Sequence, residues 1–343
     1  MSAVAMRDWR TARVEALHPL YAREGAWWSR HLGWEMDDAW AEIETARHAG
    51  RLPGVVIGDA TDAARGLAFC FIDDGVAQLG PVVCDAAEDA LPLVAGALEQ
   101  ARRAGARAAS YFGPSRGPYL ERALVDAGFT VERHAYLARD LRDLEPAPDS
   151  GGPDVRLYEN WSGDLVAPTA VLLQAAYGSD GAHFARDGRL DQWHRYVRSL
   201  VDHTGCGRLD PASTLAWREG QRVMGLALVT RIGPGIAHLA QLAVHPDARG
   251  RGRGGALLDA AMACARAAGC VRMTLLVDES SARARRVYDL CGFTPAGLFL
   301  SASLSPVGGA SSGPGARPSM TSADAPCTNM SMNSPIPSGA TGS

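Results

Sequence analysis

The chain has 343 residues, 47% hydrophobic and 21% charged, the balance of an ordinary soluble protein with room for two domains of about 100–200 residues each. A net charge of −4 gives no general attraction to nucleic acid or to an anionic membrane, and no run of about 18 apolar residues is present to span a bilayer. The opening Met-Ser-Ala-Val-Ala-Met-Arg-Asp-Trp-Arg lacks a signal peptide's apolar stretch, and seven cysteines standing singly, with no C-x-x-C pair, predict reduced thiols and a cytoplasmic location.

Residues 1–50 are patterned mostly for helix, with Trp40 and Ile43 three apart among charges. Trp27, Trp28, Trp34 and Trp40 are expected to be core residues rather than a platform for stacking bases or sugars. Strands are predicted over 55–57, 66–71 and 76–83, the last two joined by the turn Asp73-Asp-Gly75. A helix over 86–103, a strand over 107–112, a helix over 119–126 and a strand over 136–141 close a first domain, 1–144. The Pro-, Gly- and Ser-rich stretch that follows makes 145–153 a linker. A second domain, 154–304, should open with a strand over 154–158 and helices over 165–177 and 190–201. Strands over 214–218 and 223–232 then lead to a central strand, 236–244. Residues 305–343 are dominated by Ser, Gly, Pro, Ala, Thr and Asn and are expected to be disordered.

The chemistry gathers directly after the central strand, in Val244-His-Pro-Asp-Ala-Arg-Gly-Arg-Gly-Arg-Gly-Gly-Ala-Leu-Leu258. Gly250, Gly252, Gly254 and Gly255 remove side chains where the backbone must turn and approach a ligand. Successive amides and the positive end of the following helix would cradle an anion. Arg249, Arg251 and Arg253 add charges that do not titrate near neutral pH. A phosphate-bearing cofactor follows. A P-loop is set aside, because neither Lys nor a hydroxyl follows the glycines. Gly250, Gly252 and Gly255 also spell the dinucleotide fingerprint G-x-G-x-x-G, although a dinucleotide turn leaves its strand almost directly and residues 245–249 intervene here. An RGG-like RNA-binding tract would be disordered, whereas this stretch is flanked by a strand and a helix.

The pattern V-x-P-x-x-R-G-x-G-x-G-x-x-L-L resembles the coenzyme A loop of the GNAT N-acetyltransferase superfamily, with Arg249, Gly252 and Gly254 on its R/Q-x-x-G-x-G positions. A second signature of that family, V-N-x-x-N-x-x-A-x-x-x-Y-x-x-x-G-F, is matched downstream by Ala284, Tyr288, Gly292 and Phe293, while Asp278 and Ser281 replace its asparagines. The resemblance implies an α/β (α+β) architecture of mixed, mostly antiparallel sheets flanked by helices, with acetyl-CoA as co-substrate and no metal. It implies that the amides of Leu242 and Val244 bind the pantetheine arm and that one of them stabilises an oxyanion. The loop from Arg249 through Gly250, Arg251, Gly252, Arg253 and Gly254 to Gly255 would bind the phosphates, and Ser281 would add a contact. Tyr288 would protonate the departing thiolate, and His238, eleven residues before Arg249, would be the base for the ammonium of an acceptor. Regular alternation would put His238, Ala240, Leu242 and Val244 on one strand face, and Leu239 and Gln241 on the other. Tyr177, Asp180, Asp187, Asp191 and His194 are the candidates for gripping the acceptor.

The first half repeats the second. Val76-Ala-Gln-Leu79 parallels Ile236-Ala-His-Leu239, 160 residues apart, and Ala127-Gly-Phe129 parallels Cys291-Gly-Phe293, 164 apart. The shortfall falls at the phosphate loop, which in the first copy reads Cys84-Asp-Ala-Ala-Glu-Asp-Ala90, three acids that would repel a pyrophosphate. Leu124 stands at the position of Tyr288. The expectation is a pair of tandem GNAT-like domains, the first degenerate, the second transferring acetyl to a primary amine of a small molecule or peptide. Two alternatives stay open, a non-catalytic acyl-CoA-binding sensor and an NAD-linked oxidoreductase. The sequence does not identify the acceptor, the donor's chain length or the oligomeric state.

Overall fold

The computed structural model describes residues 5–58, 63–144, 158–178, 188–202 and 206–304. They fall into two compact units: one runs to Arg133 and includes residues 298–304, and the other runs from His134 to Gly297. The serine- and glycine-rich tail and the predicted linker lie outside the described residues.

The first unit opens with a strand the sequence did not announce, β1 (Ala5–Asp8), followed by α1 (Val14–Leu32), α2 (Asp37–His48), β2 (Gly54–Gly58), β3 (Ala64–Asp73) and β4 (Val76–Leu79). Asp74 (φ 46°) and Gly75 (φ 73°) both take the left-handed conformation in the two-residue turn between β3 and β4, as the Asp-Gly pair predicts. Then come β5 (Val83–Cys84), α3 (Ala90–Arg103), β6 (Ala108–Pro114), α4 (Pro118–Asp126) and β7 (Thr130–Asp140). Helix α3 buries Ala90, Leu93, Val94, Ala97, Leu98 and Ala101, one helical stripe against the sheet. Of the four tryptophans, Trp28, Trp34 and Trp40 are buried, while Trp27 is half-buried beneath the Arg116 guanidinium, 4.0 Å from its ring centroid.

The second unit contains β8 (Tyr158–Asn160), α5 (Val166–Tyr177), α6 (Leu190–Asp202), β9 (Arg208–Leu209), β10 (Leu215–Glu219), β11 (Arg222–Gly233), β12 (Ile236–Val244), α7 (Arg253–Ala267), β13 (Arg272–Asp278) and α8 (Ala282–Leu290). A last strand, β14 (Thr294–Leu304), begins here and ends in the first unit. Strand order is β1-β2-β3-β4-β6-β14 in the first unit and β7-β13-β12-β11-β10-β8 in the second, with β9 beside β11. In each sheet one pair is parallel, β4 with β6 and β12 with β13, and each ladder is four residues long. Helices α4 and α8, strands β6 and β13, and strands β7 and β14 have bounds 164 residues apart, so the repeat read from short motifs extends to whole elements.

One expectation is corrected by the strand pairing. Residues 136–141 were expected to close the first domain, yet β7 pairs along all seven residues of β13, from His134↔Asp278 to Asp140↔Arg272. The edge of β6 is taken by β14 instead, from Phe299↔Pro114 to Leu304↔Ala109. Ala135, Leu137 and Leu141 therefore belong to the second unit's core and Leu300 and Ala302 to the first's. Both strands have a continuous buried run in their second half, His134–Ala138 in β7 and Phe299–Ala302 in β14, and such a run says that a strand is central but not which neighbour it chooses.

A second correction concerns β12. Consecutive residues Leu228 and Val229 of β11 pair with Gln241 and Leu239, leaving Ala240 as an extra residue on β12. This β-bulge breaks the two-residue alternation. Ala237, Leu239 and Leu242 pack into the core with α7 and α8, while His238 and Gln241 share the opposite face, where Gln241 meets Tyr177 of α5 and Tyr196 of α6. His238 therefore does not share a face with Leu242. The ladder to β13 stops at Leu239↔Leu275, immediately before the bulge, so the two parallel strands part where the glycine loop begins to approach.

Candidate functional site

Strand β12 ends at Val244, a single turn over Pro246–Ala248 follows, and α7 starts at Arg253 with Gly252 as its cap. Gly250 (φ 79°) and Gly252 (φ 72°) are left-handed, which explains glycine at those two positions. Gly254 and Gly255 have ordinary φ and serve another end. A Cβ would meet only Val244 Cγ2 at 3.6 Å from Gly254 and nothing within 4 Å from Gly255, so the first turn of α7 is bare toward open space. The first helical bond runs from the Ala256 amide to the Gly252 carbonyl, 3.1 Å. The amides of Arg253, Gly254 and Gly255 thus come before the intrahelical ladder, at the positive end of the helix.

These amides open on a cavity of about 270 Å³. It gathers Leu242, Val244, Arg249, Gly250, Gly252, Arg253, Gly254, Gly255 and Tyr288, nine of the expected site residues, with Ala284 of the second signature, and adds Ala248, Arg283 and Val287. Arg283 escaped the sequence reading because it lies in the variable part of the second signature. Arg251 is exposed beside the cavity. The three arginines of the loop do different things. The Arg249 guanidinium donates through Nε to the Val244 carbonyl (3.1 Å) and through Nη2 to the Ala176 carbonyl (2.7 Å), tying the loop to the end of α5. Arg253 lies over the Trp217 ring, 5.2 Å from its centroid, a cation–π contact that aims its charge beside the helix start.

Tyr288 is 4% exposed, lines the cavity, and sets its ring edge-on to Phe293 at 5.9 Å. Ser281 caps α8 and is 1% exposed; it is not part of the cavity wall. Asp278 accepts from the Ser280 amide at 2.7 Å, so the acid that replaces an asparagine organises the turn into α8. His238 is fully buried on the far face of the sheet, outside the cavity wall, with Nδ1 2.8 Å from Thr274 Oγ1 and its ring 6.3 Å from that of Tyr136. Burial pushes its pKa down to about 3, because desolvation disfavours the charged imidazolium.

Of the acceptor candidates, Asp180 and Asp187 lie outside the described residues. Asp191 is exposed and pairs with Arg189 at 2.9 Å, and His194 is half-buried on α6. Tyr177 is buried, its hydroxyl 3.1 Å from Gln241 Oε1 and 3.4 Å from the Leu242 carbonyl. Gln241 and Tyr196 went unnoticed in the sequence, because only the bulge turns Gln241 toward α5 and α6.

Among the described residues no group of three or more His, Cys, Asp or Glu is placed to hold a metal ion, and no helix is long and apolar enough to cross a membrane. The dinucleotide reading of Gly250, Gly252 and Gly255 does not agree with the topology: β12 runs antiparallel to β11, and a full turn separates it from the first glycine.

Residues 179–293 match the Acetyltransferase (GNAT) family model. The chain is 27% identical over 183 residues to a mycothiol acetyltransferase of Geodermatophilus obscurus, a match covering 48% of this chain and 55% of that one. A mycothiol acetyltransferase of Beutenbergia cavernae is 50% identical over 54 residues, 16% of this chain and 18% of that one. The chain thus spans about half the length of one curated relative and less than a fifth of the other. Among solved structures, a GCN5-related N-acetyltransferase from Sphaerobacter thermophilus aligns with a TM-score of 0.62 at 19% identity, over 88% of this chain and 95% of that one. A tandem GNAT protein from the clavulanic acid biosynthesis pathway aligns at 0.55 and 15% identity, over 89% and 100%. At such identities the two structures speak for the fold, which they share along most of the chain. With the two signatures in order and the family match over the glycine loop, residues 179–293 carry the Acetyltransferase (GNAT) family pattern.

Proposed function

We propose that the second unit transfers an acetyl group from acetyl-CoA to a primary amine of a small molecule or peptide, by direct attack in a ternary complex. The observation that carries this reading is the single cavity that brings together the bare first turn of α7, the end of β12 beyond its ladder with β13, and the Tyr288 phenol. Acetyl-CoA would supply the activated acyl group. The amides of Arg253, Gly254 and Gly255 fit the pyrophosphate, with Arg253 and Arg283 adding charge. The backbone at Leu242 and Val244 suits an extended pantetheine arm laid alongside as an added strand, and the Leu242 amide suits an oxyanion.

In this reading the amine nitrogen attacks the thioester carbonyl carbon, the C–S bond breaks, and the sulfur takes its proton from Tyr288 Oη. The phenoxide is then reprotonated from the acetylated ammonium through water. A phenol, with an ordinary pKa of about 10, holds its proton at neutral pH and can still yield it to a nascent thiolate. His238 is assigned no part in proton transfer. A base with a pKa pushed down to about 3 is poorly matched to an ammonium near 10.4, and its hydrogen bond to Thr274 gives it a structural task.

The mycothiol acetyltransferases among the relatives make their acceptor the first to try, beside a panel of primary amines. Thiol release from acetyl-CoA, with mass detection of the acetylated product, reports turnover. Acetyl-CoA binding with no amine-dependent thiol release across the panel would favour a sensor over an enzyme.

A further inference from the structure

Where β12 leaves the ladder with β13, it is held from the other face by a buried polar network. Gln241 is fully buried. Its Oε1 accepts from Tyr177 Oη at 3.1 Å, and its Nε2 donates to Tyr196 Oη. The same Tyr177 hydroxyl lies 3.4 Å from the Leu242 carbonyl, and Arg249 joins the next-but-one carbonyl, Val244, to Ala176 at the end of α5. The end of α5 and the middle of α6 are thereby fastened to the part of β12 that β13 no longer supports. An apolar side chain would fill the position without the desolvation that a buried amide demands. A polar network with several mutual partners instead specifies one geometry.

We infer that Gln241, clamped between Tyr177 and Tyr196, is a positioning residue that fixes the Gln241–Leu242 peptide so that the Leu242 amide faces the carbonyl oxygen of the bound acetyl thioester. This rests on the acetyl-transfer reading above. A hydrogen-bond donor polarises a carbonyl only if its direction is set beforehand, and after the bulge β12 keeps its ladder with β11, to Gly225↔Val244, but has lost the one with β13. The network replaces that ladder from the side opposite the cavity, so it acts on the peptide without touching the ligand.

The test follows acetyl-CoA labelled with 13C at the thioester carbonyl, on the full chain, by NMR. The wild type should move the bound carbonyl resonance away from its free position. Gln241→Met, close in volume but with no amide, should return it toward the free value while leaving coenzyme A affinity within about threefold. Tyr177→Phe and Tyr196→Phe remove one hydroxyl each, keep the ring, and should each lose part of the displacement. Gln241→Glu supplies a diagnostic rescue. Burial raises a carboxyl's pKa, and the protonated acid accepts from Tyr177 and donates to Tyr196 as the amide does. The displacement should therefore return at acidic pH and fade as pH rises. A bound resonance unchanged by Gln241→Met and both phenylalanine variants overturns the inference, as does a wild-type resonance that stays at its free position although acetyl-CoA binds. Failure of the wild type to bind acetyl-CoA overturns it together with the acetyl-transfer reading.

Discussion

The same stretch of the repeat has two fates in this molecule. In the second unit the path from β12 to α7 passes through two left-handed glycines to a bare helix start with no acid in its first turn. In the first, the shorter path from β5 to α3 has no glycine, and two of its three acids are engaged by the unit's own arginines, Asp85 by Arg23 and Asp89 by Arg65 at 2.7 Å. Cys84 stands where the second unit has Val244, its thiol pushed up to about 11 by burial and by the neighbouring Asp89 and Asp85. Leu124, fully buried, stands where the second unit has Tyr288. The parallel ladders and helix positions are otherwise the same. Under the proposed function, cofactor binding in such a pair resides in a few residues between strand and helix, with the rest of the unit as scaffold.

The largest expected effect tests the division of the chain. Residues 154–304 lack β7, and with it the buried Ala135, Tyr136, Leu137 and Ala138 that line β13. That fragment should show no cooperative melting, and starting it at residue 130 should restore a transition. A normal melt of 154–304 would break the account of which strand completes the second unit.

Next comes His238. Its folded pKa of about 3 lies below the ordinary value of 6.5, so between these values the unfolded chain binds more protons than the folded one. Stability is complete above about pH 6.5 and falls as pH drops toward 3, by a total on the order of 5 kcal/mol at about 1.4 kcal/mol per unit. Melting curves from pH 7 to pH 4 should show the decline, and His238→Gln should flatten it. The same substitution should leave the neutral-pH rate profile of thiol release in place; loss of the basic group's limb from that profile would return His238 to the role of base.

Tyr288→Phe should lower turnover about a hundredfold with coenzyme A affinity unchanged. Asp89→Asn in the first unit should lower stability by about 1–3 kcal/mol, by loosening the Arg65 pair, without altering acetyl-CoA binding. An effect on binding would mean that the first loop is not merely scaffold. Smallest of all, Trp217→Leu removes the ring under Arg253 and should weaken coenzyme A binding by about 0.5–1 kcal/mol, read by calorimetry.

What the sequence disclosed follows from how local each cause is. Gly250 and Gly252 answer a backbone angle, Gly254 and Gly255 answer the need for a bare helix start, and Tyr288 sits one helical spacing from Ala284 on the face toward the cavity. Such features are written into consecutive residues. The bulge at Ala240 is not: alanine has no turn signature, and its presence reverses the faces assigned to His238 and Leu242. Nor did any local pattern show that β7 and β14 would be placed in different units, because the two strands carry the same kind of buried run. Gln241 and Tyr196 became visible only when α5 and α6 were laid on the sheet, and Arg249 proved to be bound to two carbonyls although its motif position suggested phosphate.

The central claim is that the glycine loop of the second unit binds coenzyme A. Its most direct test is thermal stability with acetyl-CoA, coenzyme A and NAD in turn, on the wild type and on Gly254→Glu. A side chain at 254 meets only ordinary contact with Val244, so the variant should fold while placing a carboxylate among the amides that await the phosphates. The account predicts stabilisation by acetyl-CoA and coenzyme A, about 2.7 kcal/mol at a hundredfold excess over the dissociation constant, and its loss in the variant. Stabilisation by NAD and none by either coenzyme A species would contradict it.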